Sequence, residues 1–182
     1  MKRILAAALT GLFAGALASP TFASIKTVGG APMYSQKNIV ENAVNSKDHT
    51  TLVAAVKAAG LVDTLESAGP FTVFAPTNAA FGKLPAGTVD SLVEPQNKPQ
   101  LTQILTYHVV PGAYTSGRLM SMVKRDGGAT HLKTAEGETL TITARHGGLS
   151  VRDAKGGVSH ITIANVMQSN GVIHVVDGVL MP

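Results

Sequence analysis

The sequence has 182 residues, 45% of them hydrophobic, and a formal net charge of +4, which suits one globular domain. It contains no cysteine, so disulfides, thiolate metal sites, cysteine nucleophiles and a lipid-modified cysteine are excluded. The 15 lysine and arginine residues are too sparse for a stripe that binds a phosphate backbone, so we expect no nucleic acid partner.

Residues 1–23 have the pattern of a secretory signal peptide. Lys2 and Arg3 precede an apolar run, 4–18, that is shorter than the roughly 20 residues of a membrane span, and small residues allow cleavage after Ala18 or Ala23. Its removal leaves 13 basic and 11 acidic residues, a net charge of +2. We expect an exported protein, secreted or periplasmic, without membrane insertion after cleavage.

The segment that follows is predicted to lack regular structure. Gly29-Gly30 and Pro32 discourage helix and strand, so residues 24–35 are expected to form a flexible N-terminal tail. The folded domain is then predicted to cover residues 36–182.

The first half of that domain is mainly helical by its apolar spacing. Apolar residues recur three and four apart from Ile39, and a second helix is predicted from near Asp48 to Gly60. Further helices are predicted at 61–65, 77–84, 88–93 and 100–106, strands at 71–76 (FTVFAP) and 107–111 (YHVVP), and a polar loop at 94–99.

The second half is rich in β-strands. TLTITA and HITIANV alternate between apolar and polar residues, and glycine-containing turn clusters separate the strands. The predicted strands are 132–134, 139–144, 149–152, 158–166 and 172–181. Helices first and an antiparallel meander last indicate an α+β domain.

His174 and Asp177 interrupt the apolar closing strand. We predict that this strand is central and buried on both faces, with a bend at Asp177-Gly178. A buried imidazole or carboxylate is tolerated when it is hydrogen-bonded, so the interpretation is structural and not catalytic.

Motifs for chemistry are scarce. The sequence has no GxSxG, HExxH or glycine-rich phosphate loop, so we expect neither an enzyme nor a bound cofactor. His131, His146 and His160 lie near successive strands and could converge on a metal, but no short histidine spacing supports this, and we predict no metal site. Met120, Met122 and Met167 are interpreted as gap-filling core residues.

Three segments together resemble the marker segments of the fasciclin (FAS1) domain family. They are FTVFAPTNAAF (71–81), ILTYHVVPG (104–112) and SNGVIHVVDGVLMP (169–182), and the resemblance covers about residues 36–182. It implies a wedge of two β-sheets with several short helices packed alongside. It also implies a binding role in cell adhesion, with a protein, cell-surface or matrix component as partner; we expect a monomer.

The resemblance also supplies candidate partner-binding residues. Tyr107-His108 matches a Tyr-His pair linked to integrin-type recognition, although neighbours in a strand face opposite ways, so one of the pair, His108, is expected to be buried. A purely structural role for the pair stays open. Asn165-Val166 stands where animal members carry an aspartate and an aliphatic residue; the missing carboxylate argues against an integrin-type partner that uses a metal ion. The alternative function is a periplasmic small-ligand or metal-binding protein.

Overall fold

Helices and strands follow one another largely as the apolar spacing predicts. The computed structural model describes residues 25–145 and 147–182, and the predicted signal peptide lies outside them. The α-helices are α1 (Ile39–Ala43), α2 (Thr50–Ala59), α3 (Val62–Glu66), α4 (Asn78–Gly82), α5 (Thr88–Leu92), α6 (Lys98–Tyr107) and α7 (Ser116–Arg125). The β-strands are β1 (Lys26–Val28), β2 (Ala31–Met33), β3 (Phe71–Pro76), β4 (Val109–Pro111), β5 (Ala129–Lys133), β6 (Thr139–Arg145), β7 (Gly148–Arg152), β8 (Val158–Gln168) and β9 (Gly171–Val176).

The main sheet has seven strands in the order β4-β3-β9-β8-β7-β6-β5. From β5 to β9 each strand pairs antiparallel with the next, as the predicted meander requires, whereas β3 and β9 pair in parallel. The first residues of β8 pair with β7 and the rest pair with β9, and the pairing of β8 with β9 contains two register shifts. These irregularities bend β8 between two sheets. The predicted α+β class and two-sheet wedge are confirmed.

Two hydrophobic cores lie on opposite sides of β3 and β9. The helix-side core packs α1 to α6 against one face, where β9 contributes Ile173 and Val175. The wedge core fills the space between the sheets, and β9 contributes Val176. All of β9 is buried, which explains its continuous apolar run. The central-strand prediction is confirmed, although the strand ends at Val176.

The N-terminal segment corrects one prediction. Instead of lacking regular structure, β1 and β2 form an antiparallel hairpin with Val28 and Met33 buried in the helix-side core. Gly29 and Gly30 have φ angles of 58° and 77°, which a tight turn between two strands requires and glycine supplies. The Gly-Gly pair therefore forms a hairpin turn and does not interrupt regular structure.

The structure around residue 107 corrects two further predictions. Tyr107 is the last residue of α6 and His108 is its C-cap, so the strand predicted at 107–111 begins only at Val109. The polar loop predicted at 94–99 is a 3₁₀-helical turn, Pro95–Asn97, that leads directly into α6. Pro99 fits the first turn of α6, where a missing N–H costs no helical hydrogen bond.

Candidate functional site

Tyr107 is sealed inside the wedge core. Its side chain is 0% exposed. The phenol oxygen accepts a hydrogen bond from the Ala154 N–H at 2.9 Å, and its hydroxyl faces the Thr139 carbonyl at 3.4 Å. Burial raises the pKa of Tyr107, so the phenol stays protonated at neutral pH. The ring thus joins the end of α6 to the meander.

His108 joins the chain terminus to α6. The Leu180 N–H donates to its Nε2 at 3.0 Å, so Nε2 carries no proton. Nδ1 must then carry it, and it donates to the Ile104 carbonyl at 2.8 Å. Burial lowers the pKa of His108 to about 4, against the opposing effect of that carbonyl. A second ring proton would face the Leu180 N–H, so the fold requires the neutral form.

These positions bear directly on the Tyr107-His108 hypothesis. The argument that the two side chains face opposite sides of a strand is wrong, because the pair ends a helix. Both are buried, at 0% and 2% exposure, and their polar atoms are occupied within the chain. A partner could reach them only if α6 moved. Contact with a partner at this pair stays a prediction.

Asn165 and Val166 lie at the bend of β8. Val166 is 1% exposed and belongs to the helix-side core. Asn165 has a positive φ of 57°, a conformation that asparagine tolerates better than most residues. Its side-chain oxygen accepts from the Ser116 N–H, and its amide nitrogen donates to the Ser116 hydroxyl, both at 2.7 Å. Asn165 therefore fixes the start of α7.

His174 is fully buried beside this bend. The Asn165 N–H points at its Nδ1 at 3.4 Å, and Nε2 bonds the Tyr114 carbonyl at 2.7 Å. The ring stacks on Phe74 with centroids 5.8 Å apart, and burial lowers its pKa. Asp177, at the predicted bend, accepts from the His160 N–H at 2.7 Å. The predicted hydrogen bonding of His174 and Asp177 is confirmed, and their structural role stays a prediction.

Beside this region, the half-buried aromatic ring of Tyr114 meets the exposed cation of Arg118. The Arg118 guanidinium lies 4.6 Å from the centroid of the Tyr114 ring and donates to the Ala113 carbonyl at 3.1 Å. The ion pairs of the described chain join Arg125 to Asp126 and His160 to Asp177, and neither includes Arg118. We call Tyr114 and Arg118 the Tyr-Arg ledge.

The ledge was missed from sequence because its parts are fixed by distant residues. Thr115 caps α7 by accepting from the Arg118 N–H, a local signal that was available. The Tyr114 carbonyl, however, is held by His174, and Ser116 is held by Asn165. Those contacts cross about 50 to 60 residues of chain, and no periodicity reveals them.

Of the histidines considered for metal binding, the structure describes His131 and His160. Within residues 25–145 and 147–182, no group of three or more metal-ligating side chains is close enough to hold an ion. His131 contacts the Thr141 hydroxyl at 3.2 Å, His160 faces Asp177, and His146 lies outside the described residues. Met120 and Met122 pack against the wedge core, but Met167 is 43% exposed, so its core assignment is wrong.

A cavity of about 100 Å³ lies in the helix-side core, between α2 and the face of β3 and β9. His49 forms part of its wall. Its Nδ1 lies 2.8 Å from the Ser46 hydroxyl, and its buried Nε2 has no hydrogen-bond partner. Burial lowers the pKa of His49. No sequence pattern indicated this cavity.

None of the helices among the described residues is long and apolar enough to span a bilayer.

Comparisons with known proteins agree with the fold. The family model of the fasciclin domain matches residues 47–182. Protein sll1483 of Synechocystis sp. is 44% identical, over 96% of this chain and 94% of that protein. Cell surface glycolipoprotein MPB83 of Mycobacterium bovis is 36% identical, over 85% of this chain and 64% of that protein.

A solved structure of a FAS1 domain pair from the insect cell adhesion molecule fasciclin I has a TM-score of 0.70 and 19% identity. The match covers 80% of this chain and 51% of that pair, and at this identity it shows the fold alone. The family model and the relative from Synechocystis sp. show the family: this chain belongs to the fasciclin domain family.

Proposed function

We propose that this chain is an exported, non-catalytic binding module that mediates contact with a cell-surface or matrix component. Family membership supports a binding role, since one relative is named a cell surface protein and the solved relative a cell adhesion molecule. The side chains that were considered for catalysis also support a binding role. His108, His174 and Asp177 are engaged by backbone groups of the chain itself.

The Tyr-Arg ledge is the observation that carries the proposal. Arg118 sits in the first turn of α7, where the helix dipole disfavours a positive charge. The Tyr114 ring and the Ala113 carbonyl hold the guanidinium there without a carboxylate. Tyrosine and arginine are the residue types that most often dominate binding energy at interfaces. A partner that presents a carboxylate would complete the arrangement with a paired hydrogen bond.

Asn165 enters this proposal as a positioning residue. Its two hydrogen bonds to Ser116 fix the start of α7 and thereby the direction of Arg118. The bend in β8 therefore influences partner contact only through the position of α7. Tyr107 and Val166 contribute by packing in the wedge core and the helix-side core, and His108 contributes by accepting from the Leu180 N–H.

The experiment measures adhesion of beads that carry the mature protein to a surface coated with extracellular matrix extract. Arg118→Ala is compared with Lys124→Ala, which removes the same charge from the same helix at another exposed position. We expect Arg118→Ala to weaken adhesion at least about tenfold, in line with loss of an interface anchor, and Lys124→Ala to leave it nearly unchanged.

Circular dichroism checks that both variants keep the native fold. Adhesion should also fall as the salt concentration rises, because exposed charge pairs are screened. Equal adhesion of Arg118→Ala and the parent would overturn the ledge as the contact, and so would equal losses in both variants.

A further inference from the structure

The outer face of the meander is an open sheet surface that belongs to neither core. Alternate residues of β5 to β8 point away from the wedge core, because the residues between them, such as Leu132, Leu140 and Val151, fill that core. The strand register places the outward side chains in rows that run across the strands. One row comprises His131, Thr141, Arg152 and Val158, and the next comprises Ala129, Thr143, Ser150 and His160.

Hydroxyl groups and basic side chains dominate this surface. Lys133 lies on β5 beyond His131 and pairs in register with Thr139. His131, Lys133 and Arg152 are exposed. The hydroxyl of Thr141 lies 3.2 Å from His131 Nδ1, within the first row. We call the two rows together with Lys133 and Thr139 the meander face.

Two cations of the meander face have no carboxylate partner. Neither Lys133 nor Arg152 belongs to an ion pair among the described residues. His131 and Arg152 are two strands apart in the same row, a distance of about 10 Å, and Lys133 lies one pleat further along β5. Basic groups spread in this way favour an anionic partner whose charges repeat along an extended chain.

The acidic residues that border the meander face lie at its ends. Asp126 is ion-paired before β5 begins, and Asp177 faces His160 after β9 ends. Glu136 and Glu138 lie in the turn between β5 and β6. None of these carboxylates belongs to the two rows, so the basic groups at the centre of the face remain available to a partner.

The composition of the meander face selects among anionic partners. Protein interfaces usually have aromatic anchors in a hydrophobic centre, whereas the described side chains of this face include no aromatic ring, and Ala129 and Val158 lie on its outermost strands. An anionic membrane requires a cluster of about four to eight lysines and arginines. A polysaccharide offers hydroxyls that pair with threonine and serine, and its acidic groups pair with lysine and arginine.

We propose that the meander face binds an acidic polysaccharide whose chain lies across the strands, along the row of His131, Thr141 and Arg152. Arg152 and Lys133 pair with its carboxylate or sulfate groups, and the threonine hydroxyls hydrogen-bond with its sugar hydroxyls. The helix α7 packs on the opposite side of β5 and β6, where Leu119 belongs to the wedge core. The meander face is therefore separate from the Tyr-Arg ledge, and each proposal can fail alone.

The experiment titrates the full mature protein with three oligosaccharides of equal length in a calorimeter. They are an oligogalacturonate, which carries carboxylates, a sulfated malto-oligosaccharide and the neutral malto-oligosaccharide. We expect saturable binding of at least one acidic oligosaccharide and no measurable binding of the neutral one. Binding should weaken at least about threefold when the salt concentration rises from about 50 mM to about 500 mM, because exposed charge pairs are screened.

Four substitutions test the location. Arg152→Ala and Lys133→Ala should each weaken binding at least about fivefold, because each removes a charged hydrogen-bond donor. Lys98→Ala removes an exposed lysine from α6 and should leave the affinity nearly unchanged. Thr141→Val keeps the charge of the row and removes one hydroxyl, so it should weaken binding about twofold to tenfold.

The titration of the parent protein decides the matter even if a variant fails to fold. Absence of saturable binding by both acidic oligosaccharides at low salt would overturn the proposal. Equal affinities for the neutral and the sulfated malto-oligosaccharide would overturn the role of the cations, and equal losses in Lys133→Ala and Lys98→Ala would overturn the location. Binding to vesicles of phosphatidylserine and phosphatidylcholine without binding to the oligosaccharides would identify a membrane partner instead.

Discussion

The two cores on either side of β3 and β9 differ in how they accommodate a buried imidazole. On the wedge side, His174 stacks on Phe74 and both of its ring nitrogens face backbone groups. On the helix side, His49 uses one nitrogen, leaves the other unpaired and borders a cavity. The same residue type therefore has both ring nitrogens facing backbone groups in one place and one nitrogen without a hydrogen bond in the other. Residue identity alone does not separate these cases, whereas the partners of each nitrogen do.

The cores also differ in packing. Phe74, Leu140, Ile142 and Val151 of the wedge core are each 0% exposed. The helix-side core contains more residues, yet it keeps a cavity of about 100 Å³. Small helices such as α1 and α3 contribute few side chains each, so they cover the sheet less completely than a second sheet does. We expect substitutions to cost more in the wedge core.

The largest effect is expected at Tyr107. Tyr107→Ala should lower the free energy of unfolding by about 3–5 kcal/mol, because it removes a buried ring from the wedge core. Tyr107→Phe should cost about 1–2 kcal/mol, because it leaves the Ala154 N–H without its partner. Urea unfolding at pH 7 measures both. If Tyr107→Ala loses less than about 1 kcal/mol but abolishes adhesion, Tyr107 is a surface contact and the wedge-core description is wrong.

Acidification should test the neutral histidines. The pKa of His108 is about 4 in the folded protein, against the ordinary histidine value of 6.5, so the unfolded chain binds more protons between these values. Stability is then fully present above about pH 6.5 and falls as the pH drops towards 4, by about 3 kcal/mol from His108 alone. His49 and His174, whose pKa values are also lowered, act in the same direction.

Urea unfolding at several pH values between 7 and 4 measures this slope, and His108→Gln should reduce it. A stability that stays constant over the same range would contradict the structural role of the buried imidazoles.

The smallest effect compares one added methyl group in each core. Val56→Ile extends a side chain that borders the cavity and should change the free energy of unfolding by less than about 0.5 kcal/mol. Val151→Ile extends a side chain that is 0% exposed in the wedge core and should cost about 1–3 kcal/mol. Thermal or urea unfolding distinguishes them. Equal costs would show that the helix-side core is as tightly packed as the wedge core.

The features that could be predicted from the sequence are those that depend on residues close together in the chain. The closing strand was predictable because its residues form a continuous apolar run. An imidazole buried within such a run forms its hydrogen bonds within the fold. The end of α2 at Gly60 was also predictable, because glycine adopts the left-handed conformation that commonly ends a helix. The α+β class followed from the change of periodicity along the chain.

Features that depend on distant contacts were not predictable in this way. YHVVP has strand composition, yet tertiary packing extends α6 through Tyr107 and makes His108 its cap. Gly29-Gly30 suits either a tail or a hairpin, and burial of Met33 in the helix-side core decides between them. Asn165 reaches Ser116 only after β8 bends, so its positioning role and the Tyr-Arg ledge emerge from the fold.

The most direct test is the imidazole ¹⁵N spectrum of the folded protein between pH 7 and pH 5. We expect His108 to stay neutral throughout with its proton on Nδ1, and His174, whose pKa is lowered by burial, to carry its proton on Nε2 at pH 7. His108 should not show the protonated form near pH 6, and His174 should be less protonated there than an ordinary histidine. A normal titration of either ring close to pH 6.5 would contradict the central claim that these histidines are structural groups held by the backbone.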